Sequence, residues 1–139
     1  FAGKIDNKDK KLIKLFDYFI KNKYIQYMDE ISNVSDIISE CDCLILPSYR
    51  EGLSRSLLEG SAIGRPLLVS DVPGCNNIVK DGYNGLLFEA KNYKSLQRCL
   101  LKFINLSPNL KNEMSINANL NSKLFDEKIV IENYLKLIK

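Results

Sequence analysis

The chain has 139 residues, is 45% hydrophobic and sets 20 Lys and Arg against 17 Asp and Glu, so it can fill a core while carrying a net charge of only +3. So mild a charge does not by itself argue for nucleic acid, which calls for a strongly basic, clustered face, so no nucleic-acid partner is expected, and no apolar run is long enough to cross a bilayer. There is no histidine, and Cys41, Cys43, Cys75 and Cys99 match no paired zinc-knuckle spacing, so no metal site is expected.

In chain order, Phe1-Ala2-Gly3 reads as the end of a strand from a longer chain, with no signal peptide. Residues 8–20 predict a helix with Leu12, Ile13, Phe16, Phe19 and Ile20 on one face and lysines elsewhere, a solvated face that could also touch acidic lipid. Residues 24–28 predict a strand, leaving into Asp29-Glu30-Ile31-Ser32 beside the next strand if strand order is sequential. A short helix carrying Val34, Ile37 and Ile38 ends near Cys41. Cys43-Leu44-Ile45-Leu46-Pro47 is an uncharged run bounded by proline, which predicts a buried parallel strand. Leu57, Leu58, Ser61 and Ala62 then recur at helical spacing until Gly64 and Pro66 stop the helix.

The turn between that strand and helix, Glu51-Gly52-Leu53-Ser54-Arg55-Ser56-Leu57-Leu58-Glu59, is the stretch that carries chemistry. It lies at the carboxyl end of a parallel strand, where ligands sit in open α/β sheets. Gly52 permits close approach of backbone to a ligand, and Ser54 predicts an N-cap. The amides of Arg55, Ser56 and Leu57 would then face outward at the positive end of the helix, a seat for a diphosphate to which Arg55 adds a full charge. Glu59 lies about 7 Å further along the axis, roughly the span from a diphosphate to a ribose whose hydroxyls a carboxylate accepts. Glu51 lies on the other side, where a group beyond the diphosphate would be. Each acid alone is more often a solvated helix-end charge; the joint setting of strand, proline, glycine and helix start is what singles them out.

Further along, residues 66–70 predict a second buried strand, Asp71-Val72-Pro73-Gly74-Cys75 its exit loop, and residues 76–79 one helical turn. An Asp81-Gly82 turn leads into an edge strand over 84–88. Helices follow over 92–104, from Pro108 to about Leu120, and over 127–138 with Ile131, Tyr134, Leu135 and Ile138 aligned. Cys43 and Cys99 are expected to be buried small hydrophobes in a reduced, intracellular chain. The alternation predicts an α/β fold, a Rossmann-like parallel sheet flanked by helices.

Five spaced stretches occur together: Leu46-Pro47-Ser48-Tyr49-Arg50-Glu51-Gly52, Ser56-Leu57-Leu58-Glu59, Gly64-Arg65-Pro66, Asp71-Val72-Pro73-Gly74-Cys75 and Asp81-Gly82-Tyr83-Asn84-Gly85-Leu86-Leu87. In this order, over nearly the whole chain, they resemble the C-terminal domain of retaining glycosyltransferases with two Rossmann-like halves (GT-B), of group 1 and family 4. The wording is most similar to bacterial enzymes that build surface polysaccharide or lipid-linked glycans, often with N-acetylhexosamine donors. The resemblance implies that residues 1–139 form one donor-binding domain, lacking the N-terminal acceptor domain and the first β/α unit with its basic phosphate-binding pair. It implies a nucleotide sugar, a UDP-sugar by preference, as substrate and no cofactor. It places Glu51 at the donor sugar's hydroxyls as the catalytic-site acid, the Gly52 and Leu53 amides at the sugar, the Ser56 and Leu57 amides at the diphosphate and Glu59 at the ribose. Met28, Asp29, Glu30 and Ile31 would meet the base, with an ordinary polar loop as the alternative there. Asn77 stands where the family often has an acid.

Such a donor carries its own leaving group, and amides at a helix end can stabilise the departing diphosphate without metal; the sequence holds no Asp-x-Asp pair. The acceptor implied is a glycan or polyprenyl-linked glycan, approached with the N-terminal domain of the same chain. A cationic rim of lysines would favour a membrane surface, giving a cytoplasmic protein at the inner face. The alternative is a nucleotide-sugar-binding or regulatory module without catalysis of its own. A glycoside hydrolase would need both acids at one scissile bond, and a dinucleotide-binding domain would need a Gly-x-Gly-x-x-Gly after a strand, which is missing.

Overall fold

The computed structural model describes residues 1–3, 9–126, 128, 129, 131, 135 and 136. The expected last helix over 127–138, with Tyr134 and Ile138, lies otherwise outside the described residues, as does Lys8. Contacts divide the chain into two compact units, Phe1–Val34 and Ser35–Lys139.

In the first unit, α1 (Lys10–Lys21) starts at Asp9, whose carboxylate accepts the Lys11 amide at 2.8 Å. Its apolar face packs in part through aromatic edges, Phe16 lying 6.1 Å from Phe1 and 5.4 Å from Tyr27. No residue of α1 is fully buried, and Leu12, Ile13 and Phe19 line an open apolar groove. The strand expected over 24–28 is not formed. Only Met28 pairs, in a parallel bridge with Ala2, and the Met28 amide donates to Phe1 O at 2.7 Å. β-Prone Tyr24 and Ile25 instead have their amides held by Phe19 O at the end of α1. Tertiary context has overridden propensity here.

The second unit is a three-stranded parallel sheet of β1 (Leu44–Leu46), β2 (Leu67–Ser70) and β3 (Gly85–Phe88) in the order β1-β2-β3. Leu44 pairs with Leu67 and Leu67 with Gly85. β2 is buried throughout, as a central strand covered on both faces must be. Alternate side chains feed two cores: Leu67 and Val69 join Leu57, Cys75, Ile78 and Val79, whereas Leu68 joins Leu86, Phe88, Cys99, Phe103 and Met114. β1 is less buried than expected. Ile45 is 40% exposed because, among the described residues, β1 has a partner on one side only. Cys99 is buried as expected, but Cys43, at the lip of β1, is only half-buried.

Helices α2 (Val34–Ser39), α3 (Arg55–Ile63), α4 (Tyr93–Ile104) and α5 (Pro108–Ser122) connect and follow the strands, with a single 3₁₀ turn at Lys123–Phe125. α3 lies close on the sheet because it has glycine at the contact: a Cβ on Gly60 would sit 2.8 Å from Leu44 Cδ2. Three polar side chains clamp α3 to α5. Ser61 Oγ donates to Ala118 O at 2.7 Å, Ser115 Oγ to Gly64 O at 2.6 Å and Asn119 Nδ2 to Ala62 O at 2.6 Å. Capping a helix end with a neighbouring helix's side chains satisfies carbonyls that would otherwise lack partners. Together these contacts hold α3 at the carboxyl end of β1.

Candidate functional site at the start of α3

β1 ends at Leu46, and residues 47–54 carry the chain to α3. Ser54 occupies the N-cap position as expected, with extended backbone (φ −72°, ψ 114°), but its hydroxyl does not cap the helix. It meets Ser56 Oγ instead, at 3.1 Å. The first bond into the helix is Leu58 N to Ser54 O at 3.1 Å, so among the described residues the amides of Arg55, Ser56 and Leu57 have no acceptor. The other long helices differ. Asp9, Asn92 and Ser107 accept amides of α1, α4 and α5 on their own side chains. An uncapped helix start beside a parallel strand is open to an anion.

The acids bracket this start. Glu51 is half-buried, and Ser48 Oγ donates to its Oε1 at 2.5 Å, a short bond of the charge-assisted kind. Glu59 is exposed one turn along α3. Gly52 and Leu53 are exposed between them, and the space where a Gly52 Cβ would stand is empty to 4 Å. Arg55 is exposed, Ser56 is half-buried and Leu57 is fully buried, anchoring the helix start in the core.

A second loop closes over the first. Residues 71–79 leave β2 in a run of turns, with the Asn76 amide bonded to Val72 O and the Val79 amide to Cys75 O. Gly74, at φ 90°, packs directly on the Glu51-Gly52 backbone. Buried Cys75 has its thiol pKa raised, first by burial and then by the charge of Glu51. Asn77 is exposed, while its neighbour Asn76 donates to Asp71 Oδ1 at 2.9 Å. Ser48 and Gly74 lie within stretches that carry the family resemblance, but the sequence alone assigns neither a role beside Glu51. Ser48 follows a proline three positions before Glu51, and Gly74 follows another, so turn-forming residue types were the available signal.

The four residues expected at the base lie in the first unit. Met28 has both amide and carbonyl engaged by Phe1 and Gly3, and the Glu30 amide donates to Asp29 Oδ1 at 2.9 Å. Glu30 and Ile31 line a crevice with Ala2, Gly3 and Ser32. Among the described residues no cluster of three His, Cys, Asp or Glu comes together as metal ligands, and no helix is long and apolar enough to cross a membrane.

A parallel sheet flanked by helices, with its loops and an uncapped helix start gathered at the carboxyl ends of the strands, defines a Rossmann-like α/β protein. Residues 1–120 match the family described as glycosyl transferases group 1, and the chain belongs to that family. It is 32% identical over 119 residues to the N,N'-diacetylbacillosaminyl-diphospho-undecaprenol alpha-1,3-N-acetylgalactosaminyltransferase of Campylobacter jejuni, covering 86% of this chain and 31% of that one. It is 31% identical over 71 residues to the UDP-Gal:alpha-D-GlcNAc-diphosphoundecaprenol alpha-1,3-galactosyltransferase of Escherichia coli, covering 51% of this chain and 18% of that one. The chain thus spans a third or less of the length of these relatives. The crystal structure of HepE from Anabaena in complex with UDP superposes with a TM-score of 0.83 at 16% identity, over 99% of this chain and 39% of that one, which establishes the shared fold.

Proposed function

We propose that this chain is the donor-binding part of a metal-independent, retaining glycosyltransferase. Its donor is a UDP-linked hexose or N-acetylhexosamine, and its acceptor a glycan or polyprenyl-linked glycan. The observation that carries this reading is the start of α3, where among the described residues three amides lack acceptors between Glu51 and Glu59. The names of the Campylobacter and Escherichia relatives, which act on undecaprenol-linked sugars, favour the acceptor class. The UDP in the HepE complex favours the nucleotide.

In the full-length protein the bond between the anomeric carbon and the diphosphate oxygen breaks, its electron pair going to the diphosphate. An acceptor hydroxyl oxygen bonds to the anomeric carbon, and its proton leaves with the diphosphate. The growing charge meets the Ser56 and Leu57 amides and the positive end of α3, which are fixed before reaction and need no reorganisation. Arg55 adds a full charge there. Glu59 accepts the two ribose hydroxyls. Glu51, held by Ser48, accepts donor-sugar hydroxyls, with the Gly52 and Leu53 amides beside it. The acceptor arrives with an N-terminal domain of the same full-length protein, at the cytoplasmic face of a membrane, and the present chain binds donor without transferring it.

Calorimetric titration with UDP, a UDP-sugar and GDP tests this. Glu59→Ala should weaken UDP and UDP-sugar alike by about 10- to 100-fold, the loss expected for charged hydrogen bonds. Glu51→Ala should weaken only the UDP-sugar. If UDP and UDP-sugar leave the wild-type chain unaffected, or if both variants match it, the reading is wrong.

A further inference from the structure

We infer that the crevice beyond the carboxyl ends of all three strands is a second binding site, for a neutral saccharide ring, separate from the start of α3. The inference rests on the glycosyltransferase reading in one respect: the ring would belong to the acceptor glycan.

The crevice holds about 260 Å³ and is walled by the loops that follow β1 and β3, with the end of β2 at its back. That is just under the roughly 300–1,000 Å³ of sites for drug-sized ligands, so it suits one ring and not a nucleotide. Its back wall includes Ser70, which is 1% exposed. Five buried polar side chains occur among the described residues, and Ser54, Ser61, Asn84 and Asn121 each have a hydrogen-bond partner. Ser70 alone has none. Arg65 Nε is the one fully buried side-chain nitrogen or oxygen left without a partner among the described residues; the Ser70 hydroxyl, unpaired but still touched by solvent, is free as a donor and acceptor toward the crevice that Ser70 lines.

The rest of the lining selects the ligand. Tyr93 is 74% exposed and Tyr49 64%, so two aromatic rings stand at one opening. Lys91 places its ammonium 5.5 Å above the Tyr49 ring, and Asn92 Nδ2 donates to Glu89 Oε2 at 2.7 Å. The lining holds one cation and one carboxylate, whose charges cancel, so the site has no net charge to offer a phosphate, while the Glu89 carboxylate keeps an oxygen to accept from a ligand. The start of α4 is also closed to an anion, because Asn92 Oδ1 accepts the Ser95 amide at 3.0 Å. A ligand with an apolar face for an aromatic ring and an edge of hydroxyls for Ser70, Glu89 and Asn92 fits this wall; a sugar ring has both.

The test is a titration of the ¹⁵N-labelled chain with the methyl glycosides of N-acetylglucosamine, N-acetylgalactosamine and glucose, followed by amide shifts, with a separate titration by UDP. At least one glycoside should shift the amides of Tyr49, Ser70 and Glu89 to Tyr93 at millimolar concentration and leave Arg55 to Leu57 unmoved. Tyr93→Ala should weaken this binding about tenfold, and Ser70→Ala severalfold. Tyr83→Ala, an exposed ring outside the crevice, should change nothing. UDP should shift Arg55 to Leu57, and if it does not while the glycoside still shifts the crevice, the donor reading fails and the saccharide site stands. No glycoside shift at the crevice, shifts confined to Glu51 to Leu53, or binding untouched by Tyr93→Ala and Ser70→Ala would each overturn the inference.

Discussion

Gly74 rests on the carbonyl of Gly52: a Cβ added to Gly74 would come within 2.0 Å of Gly52 O and 2.6 Å of Glu51 O. The loop after β2 thus sets the height of the loop after β1, and through it the position of Glu51. Gly74→Ala combines a backbone at φ 90°, costly for an L-residue, with a clash against main chain that cannot rotate away. We expect a loss of more than about 2 kcal/mol in urea unfolding, together with weaker UDP-sugar binding. Gly82→Ala is the control, since Gly82 has φ 74° but open space around it, and should cost only about 1 kcal/mol with no effect on binding. Equal losses for the two substitutions would show that conformation, not contact, sets the cost.

This relationship also marks what the sequence could reveal. Period and punctuation located β2, α4, α5 and the strand–turn–helix around Glu51 to within a few residues, because burial and capping act on neighbours in sequence. Gly64 and Pro66 stop α3 where they stand. The contact of Gly74 with Gly52 links residues 22 positions apart and leaves no periodic trace. The same is true of Asn84, which reads as the first residue of a strand but serves as a buried tie. Residues 24–28 mislead for the opposite reason: their composition is that of a strand, and the end of α1 takes two of their amides first. Ser54 has the right residue type at the right position, and its hydroxyl still turns to Ser56. Propensity sets an N-cap position; it does not decide which partner the side chain chooses.

Ser48 should act on ligand binding only through Glu51. Its hydroxyl fixes one carboxylate oxygen at 2.5 Å, leaving the other oriented for a ligand. Ser48→Ala should therefore weaken UDP-sugar binding by about 1–2 kcal/mol and leave UDP unchanged, as read by paired calorimetric titrations. An equal loss for both ligands would mean that the substitution moves the loop as a whole.

The two buried asparagines share one acceptor. Asn84 Nδ2 and Asn121 Nδ2 each lie 2.9 Å from Ile78 O, while Asn84 Oδ1 also accepts the Lys80 amide at 2.7 Å. Asn84→Ala strands an amide and removes a donor, so it should cost about 2–3 kcal/mol in denaturant unfolding. Asn121→Ala leaves Ile78 O with the Asn84 donor and should cost about half as much. The double substitution should exceed the sum of the two, since only then is the Ile78 carbonyl left without either amide.

Stability should also fall at alkaline pH through Cys43. Its thiol pKa is raised from 9.0 to about 11, chiefly by burial, then by Asp42 and the neighbouring thiols Cys41 and Cys99, with Lys111 opposing. The folded chain thus holds this proton more tightly than the unfolded chain. Below pH 9 both forms are protonated and the full contribution is present. As pH rises from 9 toward 11 the unfolded thiol ionises first, the unfolded state binds fewer protons, and stability declines. The contribution is read as a difference: Cys43→Ala should flatten the fall in urea midpoint between pH 9 and 11 relative to wild type. Cys41→Ala, at an exposed position, should retain most of the wild-type slope. If Cys43→Ala leaves the slope unchanged, the thiol at the lip of β1 is better solvated than its packing indicates.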